Sequence, residues 1–212
     1  MVWFDPRTGT TSPKPAADAA APAQPGNAAA PGRRSLKLKD GDLWFGAVDA
    51  GGPDATPDLR LTRDGANGPA IEEPQLSPDQ RLASFVRGNN LFVVDVATGA
   101  SWQVTTDGSP ELFHGKLDWV YQEELYGRGD FQAHWWSPVG DRCAFLSLDE
   151  SQVREFTLVD HVPDGFLDKE RAVATEVANY PKAGDPNPTA RLSIAHVGER
   201  RIVPVDLSQY PP

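Results

Sequence analysis

Short apolar runs separated by turn residues dominate the pattern of hydrophobic and polar positions along the chain. The runs end at Asp, Asn, Gly or Pro, which is typical of β-strands joined by tight turns. Pro204 in the last run predicts an edge strand, and residues 170–177 fit either a strand or a helix. The other predicted strands are 43–48, 59–62, 82–86, 91–96, 143–148, 153–159 and 191–197, with 202–205 as the edge strand.

Part of this pattern repeats. Segment 62–65 (TRDG) recurs as 105–108 (TTDG), a spacing of 43 residues, which lies within the ~40–45 residues of a four-stranded propeller blade. The Ser-Pro at 77–78 recurs at 137–138, a longer interval that leaves room for an insertion at the end of a blade. We therefore predict an all-β fold, a partial β-propeller of about three four-stranded blades with a short helical insertion that projects from one rim.

The composition divides the chain into three segments. Residues 1–11 resemble a strand and turn of an incomplete blade, because VWFDPRTG at 2–9 is echoed by FVVDVATG at 92–99. Residues 12–34 are rich in Ala, Pro and Gly and cannot bury enough apolar surface to fold, so we interpret them as a linker or mobile insertion. Residues 35–212 are expected to form the propeller blades.

The stretch 117–138 (LDWVYQEELYGRGDFQAHWWSP) differs from its surroundings. Asp118 can cap a short helix that ends at Gly127 and Gly129. On such a helix Glu123 and Glu124 are separated by about 100°, whereas on a strand they would point to opposite faces. Two converging carboxylates would form a binding site for a cation, and we place this insertion at residues 117–130.

The motif DWVY at 118–121, the Glu pair and WWSP at 135–138 resemble the substrate-binding insertion of the dipeptidyl peptidase IV branch of the prolyl oligopeptidase family. A second family segment is matched by YPKAG at 180–184 together with NPT at 187–189. The resemblance implies that Glu123 and Glu124 hold the free amino terminus of a peptide substrate. It also implies a separate C-terminal α/β-hydrolase domain, which cleaves after the second residue. The family's propeller arginine, which holds a substrate carbonyl, is not assigned to a residue here.

The catalytic machinery of that family is not found in this sequence. No Gly-x-Ser-x-Gly motif occurs, so no catalytic residue is assigned and the serine, aspartate and histidine are expected elsewhere. The four histidines are widely spaced and Cys143 is the single cysteine, so neither a metal site nor a cofactor is predicted. The aromatic residues Trp119, Tyr121, Trp135 and Trp136 could line a peptide cleft, although packing is the commoner role of such side chains.

Charge and hydropathy exclude two kinds of partner. A net charge of −10 argues against nucleic acid, which is bound by clustered Lys and Arg. No run of 18 apolar residues is present, so no membrane segment is predicted. Asp5 comes too early for a secretory signal, so the chain is expected in the cytoplasm if Met1 is the native start. If the true amino terminus is missing, a periplasmic or secreted location is expected.

Two alternatives to a peptidase segment remain open. Three blades do not close a ring, and an open arc leaves strand edges without partners. A non-catalytic propeller that binds ligands would have to close this arc with a second copy, as a homodimer, or with another partner. A truncated homologue that never folds stably is the other alternative.

Overall fold

The structure is a computed structural model that describes residues 2–5, 10–13, 34–47, 57–65, 67–160 and 174–210. It divides into two units, residues 1–33 and residues 34–212. In the first unit, β1 (Val2–Asp5) pairs antiparallel with β2 (Thr10–Pro13). The strand predicted at the amino terminus is confirmed. Strand β2 includes the first two residues of the predicted linker 12–34, and its last residue, Arg34, begins a strand of the second unit. Residues 14–33 lie outside the described residues.

The second unit is built from antiparallel strands and a π-helix, Tyr121–Tyr126. The strands are β3 (Arg34–Lys39), β4 (Asp42–Ala47), β5 (Leu59–Arg60), β6 (Ile71–Leu76), β7 (Leu82–Arg87), β8 (Asn90–Asp95), β9 (Ser101–Gln103), β10 (Leu112–His114), β11 (His134–Trp136), β12 (Arg142–Asp149), β13 (Glu155–Asp160), β14 (Ala174–Asn179), β15 (Thr189–His196) and β16 (Arg201–Pro204).

Three of the sheets follow one another along the chain as propeller blades. The first has the order β3-β4-β5, the second β6-β7-β8-β9, and the third β12-β15-β16 with β10 and β11 both on the free side of β12. The third sheet thus has four strand positions, because β10 and β11 occupy one position in two pieces. The predicted all-β fold of about three blades is confirmed.

Several details of the strand prediction are wrong. The strand predicted at 59–62 ends at Arg60. Residues 153–159 were assigned to a blade, but β13 pairs with β14 in a separate two-stranded sheet. Residues 174–179, which overlap the ambiguous region 170–177, are a strand. Local patterns report the presence of a strand and not its partner, so this hairpin could not be separated from the blades by sequence.

Hydrogen bonds around Asp42 explain the repeated TRDG segment. The buried carboxylate of Asp42 accepts hydrogen bonds from the Thr62 hydroxyl (2.7 Å), the Gly65 backbone N–H (3.0 Å) and the Arg60 Nε (3.1 Å). A β-carbon at Gly65 would collide with the backbone of Gly41, so this position requires glycine. The loop is therefore tied to the start of β4.

The next blade repeats this arrangement with an amide in place of the carboxylate. Asn90 Oδ1 accepts hydrogen bonds from the Thr105 hydroxyl (3.1 Å) and the Gly108 N–H (2.9 Å). A β-carbon at Gly108 would again meet backbone, that of Asn89. The repeat predicted from the spacing of 43 residues thus has a common structural basis, a polar side chain that binds the Thr-x-x-Gly loop.

The middle sheet is buried on both faces, because alternate residues of a strand point to opposite sides. One face packs against the first sheet. This cluster contains Leu43, Phe45, Leu61, Ile71, Ala83, Phe85, Val94 and Val96.

The opposite face of the middle sheet packs against the third sheet. This second cluster contains Val86, Leu91, Val93, Val104, Cys143, Phe145 and Ala195. Trp136 packs at its margin and donates a hydrogen bond from its indole N–H to the Ser84 hydroxyl (2.9 Å). The insertion therefore extends from the third sheet, and the face of this sheet that lies against the middle sheet is packed.

The insertion interrupts the first strand of the third blade. Strands β10 and β11 pair with residues 147–149 and 143–145 of β12 respectively, and the chain leaves the sheet between them. In the preceding blade the corresponding strand β6 has a β-bulge between Glu72 and Gln75. The prediction that the insertion lies at the end of a blade is therefore wrong, since it lies within the first strand of the third blade.

Candidate functional site

The insertion begins with a capped helix, as predicted. Asp118 is 2% exposed, and its Oδ1 accepts a hydrogen bond from the Tyr121 N–H (2.7 Å). Residues 119–120, which precede the π-turn, are also helical, so Asp118 directly precedes the first helical residue and makes the bond typical of an N-cap carboxylate. The helix ends at Gly127, which has φ 129°. The predicted helix start and stop signals are both confirmed.

The helix is a π-helix, with the Gly127 N–H bonded to the carbonyl of Gln122, five residues earlier (3.0 Å). Such a turn is wider than an α-turn, so consecutive side chains are closer in angle than the 100° expected from the sequence. The geometry brings Glu123 and Glu124 nearer to the same direction. Single π-turns are often found at functional sites.

A buried side chain fixes the turn that follows the helix. Gln122 is 3% exposed, and its Oε1 accepts a hydrogen bond from the Gly129 N–H (2.6 Å). The face of the insertion that packs on the third sheet is apolar. It is part of a third cluster formed by Leu117, Ala133 and Leu148, with Phe113, Tyr121, Trp135, Leu146 and Ala190 packed against it.

The two glutamates have different partners. Arg128 Nε donates to both oxygens of Glu123, at 2.9 and 3.0 Å, and its Nη2 also contacts Oε1. These hydrogen bonds lower the pKa of Glu123 below its usual value. Glu124 Oε1 accepts a hydrogen bond from the Tyr180 hydroxyl (2.9 Å). Both carboxylates are thus held in position by neighbouring side chains.

Most of the insertion aromatics are engaged in packing. Trp136 packs with the second cluster, and Trp135 and Tyr121 with the third. Trp119 makes an edge-to-face contact with Tyr180, at a centroid distance of 4.6 Å. The packing interpretation therefore accounts for three of the four residues, whereas Trp119 supports the tyrosine that contacts Glu124.

A buried carboxyl pair lies at the base of the helix. Glu150, at the end of β12, is 5% exposed and interacts with the Asp118 carboxyl. Burial raises the pKa of Glu150 to about 7; the Asp118 charge adds to this shift, and a hydrogen bond from the Asn179 amide (3.0 Å) opposes it. Burial likewise raises the pKa of Asp118. The charge of the capping carboxyl of Asp118 thus affects the pKa of Glu150.

A second polar cluster lies outside the insertion. His114 Nδ1 is 2.8 Å from Ser147 Oγ, and its Nε2 is 3.1 Å from Asp107 Oδ1. The three residues line a cavity of about 490 Å³. In serine hydrolases the serine faces Nε2 and the carboxylate faces Nδ1, the reverse of this arrangement. Ser147 is 6% exposed within β12, and we assign the cluster a structural role in joining β10 to β12.

Neither a metal cluster nor a membrane-spanning helix is found in the described part of the chain. No group of three or more His, Cys, Asp or Glu side chains there is arranged to hold a metal ion. None of the described helices is both long enough and apolar enough to span a bilayer. His134 is fully buried, with Nδ1 2.7 Å from the Gly115 carbonyl, and burial lowers its pKa to about 4.

Sequence reasoning missed Arg128 and Tyr180. The sequence patterns predict no role for Arg128, although its position five residues after Glu123 could have suggested the contact. At the sequence level Tyr180 is only part of the family segment 180–184, and it is 56 residues from Glu124. Such a long-range contact carries no local signal in one sequence.

Comparisons with known proteins agree on one family. Residues 55–211 match the family model for the "Dipeptidyl peptidase IV (DPP IV) N-terminal region". Dipeptidyl aminopeptidase B of Saccharomyces cerevisiae is 42% identical over 119 residues, which are 55% of this chain and 14% of that protein. A probable dipeptidyl peptidase 4 of Neosartorya fischeri is 38% identical over 138 residues, 64% of this chain and 17% of that protein.

Solved structures give the same result for the fold. The crystal structure of Porphyromonas gingivalis dipeptidyl peptidase 4 matches with a TM-score of 0.62 and 28% identity, covering 78% of this chain and 21% of that one. A putative dipeptidyl aminopeptidase IV from Bacteroides ovatus matches with a TM-score of 0.54 and 17% identity, covering 82% of this chain and 21% of that one. The chain therefore spans about one fifth or less of the length of these relatives.

Proposed function

Because the chain belongs to the family of the dipeptidyl peptidase IV N-terminal region, we propose that Glu123 and Glu124 bind the amino terminus of a peptide substrate. The chain would be the substrate-recognition part of a serine peptidase that releases N-terminal dipeptides. An α/β-hydrolase domain elsewhere in the whole protein would break the bond.

The observation that carries the proposal is the placement of two adjacent carboxylates on one π-helical turn. The buried side chains of Gln122 and Asp118 accept hydrogen bonds from the backbone on either side of the two glutamates, and the Tyr180 hydroxyl donates a hydrogen bond to Glu124. A peptide ammonium has three N–H donors, so two fixed carboxylates can neutralise it and also orient it. Fixing the amino terminus limits how far the peptide reaches, which would set cleavage at two residues.

A binding experiment tests the anchor without requiring catalysis. We expect glycyl-proline amide to bind the chain in an NMR titration, and its N-acetylated form to bind much more weakly. Glu123→Gln and Glu124→Gln should each weaken binding of the free-amino form more than about tenfold, because each charge-assisted hydrogen bond contributes about 1.5–3 kcal/mol.

Glu199→Gln is the matched control, since Glu199 is an exposed carboxylate paired with Arg201 outside the insertion. It should bind the amide as the parent chain does. Equal binding of the free and acetylated amides would contradict the anchoring role. A non-catalytic propeller with the same anchor would also pass this test, and hydrolysis of a free-amino peptide by the whole protein separates it from a peptidase.

A further inference from the structure

The guanidinium of Arg128 occupies one half of the proposed anchor. It approaches Glu123 side-on and engages both carboxylate oxygens. The Arg128 side chain is 83% exposed, whereas that of Glu123 is 16% exposed. A ligand that approaches from solvent would therefore meet the arginine before it meets Glu123.

The other half of the anchor is open. Glu124 Oε1 is engaged by the neutral Tyr180 hydroxyl, and Oε2 has no hydrogen-bond partner in the described part of the structure. The ring of Tyr180 packs edge-to-face against the ring of Trp119. Two carboxylates adjacent in sequence thus differ in state, one neutralised by a cation and the other available to accept further hydrogen bonds.

The contact that covers Glu123 is a weak one. Salt bridges with an exposed partner are worth little because solvent screens them and long side chains lose entropy. Arg128 lies between Gly127 and Gly129, which have φ 129° and 87°, and a β-carbon at either glycine would meet no heavy atom of the described residues within 4 Å. The turn itself is held by Gln122, but the Arg128 side chain is 83% exposed, so the guanidinium can move into solvent without displacing a neighbouring group.

We propose that Arg128 is a built-in competitor that occupies Glu123 until the amino terminus of a substrate replaces it. The proposal rests on the proposed function of Glu123 and Glu124. An incoming ammonium would first bind the open Glu124 and then exchange with the guanidinium at Glu123. A ligand without a positive charge would leave Arg128 in place, so the residue adds to the selection for free amino termini.

The Arg128→Gln variant tests this with glycyl-proline amide as the probe. Removal of a competing cation beside the bound ammonium should tighten binding about three- to tenfold, as expected for one like charge a few ångströms away near the surface. Binding of the N-acetylated amide should not tighten. Arg201→Gln removes the same charge from a similar exposed ion pair, with Glu199, and should leave the affinity for the amide within about twofold of the parent chain.

A double variant identifies the residue through which Arg128 acts. In a Glu123→Gln background the guanidinium has no carboxylate to occupy, so Arg128→Gln should change affinity less than about twofold. A gain that persists in this background would reflect net charge alone and would overturn the proposal.

The remaining outcomes are also decisive. Binding by Arg128→Gln that equals or falls below that of the parent would overturn the proposal, because the arginine would then support the anchor or contact the ligand. If Arg128→Gln fails to tighten binding while Glu124→Gln still weakens it more than about tenfold, the proposed function stands and the competitor role fails. If no variant binds the amide, including Arg128→Gln, both fail. A cooperative thermal transition for each variant shows that it is folded.

Discussion

Replacing Asp42 by alanine is expected to lower the free energy of unfolding by about 3–4 kcal/mol, as for other buried carboxylates removed from their partners. Asp42 is 1% exposed and its carboxylate binds the Thr62 hydroxyl, the backbone of 64–65 and Arg60. The alanine variant would leave these donors unsatisfied. Urea denaturation followed by circular dichroism measures the loss.

Asp42→Asn is the informative comparison, because asparagine occupies the equivalent position, Asn90, in the next blade. An amide oxygen can accept the bonds from Thr62 and the loop backbone, so this variant should lose only about 1 kcal/mol. Equal losses for the alanine and asparagine variants would show that the charge pair with Arg60 dominates. In that case the similarity between the two blades would not extend to their energetics.

The ionisation of Asp42 also makes the free energy of unfolding depend on pH. Burial alone would raise its pKa, but the hydrogen bonds from Thr62, Arg60 and Gly65 outweigh this and lower the pKa of Asp42 to about 2. Since the folded pKa is below the ordinary value of 3.8, the stability due to ionised Asp42 is present above pH 3.8. It is lost as the pH falls through about 2.

Glu150→Gln is expected to gain about 3 kcal/mol in stability relative to the parent chain as the pH is raised from 4.5 to 8. Burial and Asp118 raise the pKa of Glu150 from 4.5 to about 7, so the folded parent holds a proton that the unfolded chain releases. The stability that depends on this proton is full below pH 4.5 and is lost as the pH rises through about 7. Glutamine has no proton to lose.

The difference between variant and parent is the quantity to measure, because other groups titrate in the same window. Burial lowers the pKa of His134 to about 4, so its contribution falls as the pH decreases and opposes that of Glu150. Asp118 and Glu111 are the other charged groups that act on Glu150, and Asn179 hydrogen-bonds to it. Urea unfolding at pH 5, 6, 7 and 8 gives the difference, and an identical pH profile for the two proteins would contradict the prediction.

The parts of the site that sequence could predict are those encoded by neighbouring residues. Asp118 and Gly127 mark the start and end of the helix through backbone chemistry that acts within a few residues, and both were assigned correctly. The partners of the glutamates depend on how the chain folds back, which brings Tyr180 to Glu124. The proximity of Asp118 to Glu150 depends on the third sheet, so it likewise could not be predicted from neighbouring residues.

The same distinction explains the errors in the fold. Long apolar strands such as β7, β8 and β12 were recognised because both of their faces are buried. Strand β6 was missed because its sequence, IEEPQL, contains two charged residues and a proline at a bulge. The strands β9, β10 and β11 have only three residues each. Such short segments are stabilised by their neighbours rather than by their own composition.

The interruption of one strand by the insertion has a consequence for engineering. The two ends of the excursion, β10 and β11, remain paired with β12 on either side of the gap, so their separation is set by the sheet and not by the loop. Segments of other lengths could be grafted between them without shifting the register of the blade. Other recognition loops could therefore be inserted at this position while the strands of the blade stay unchanged.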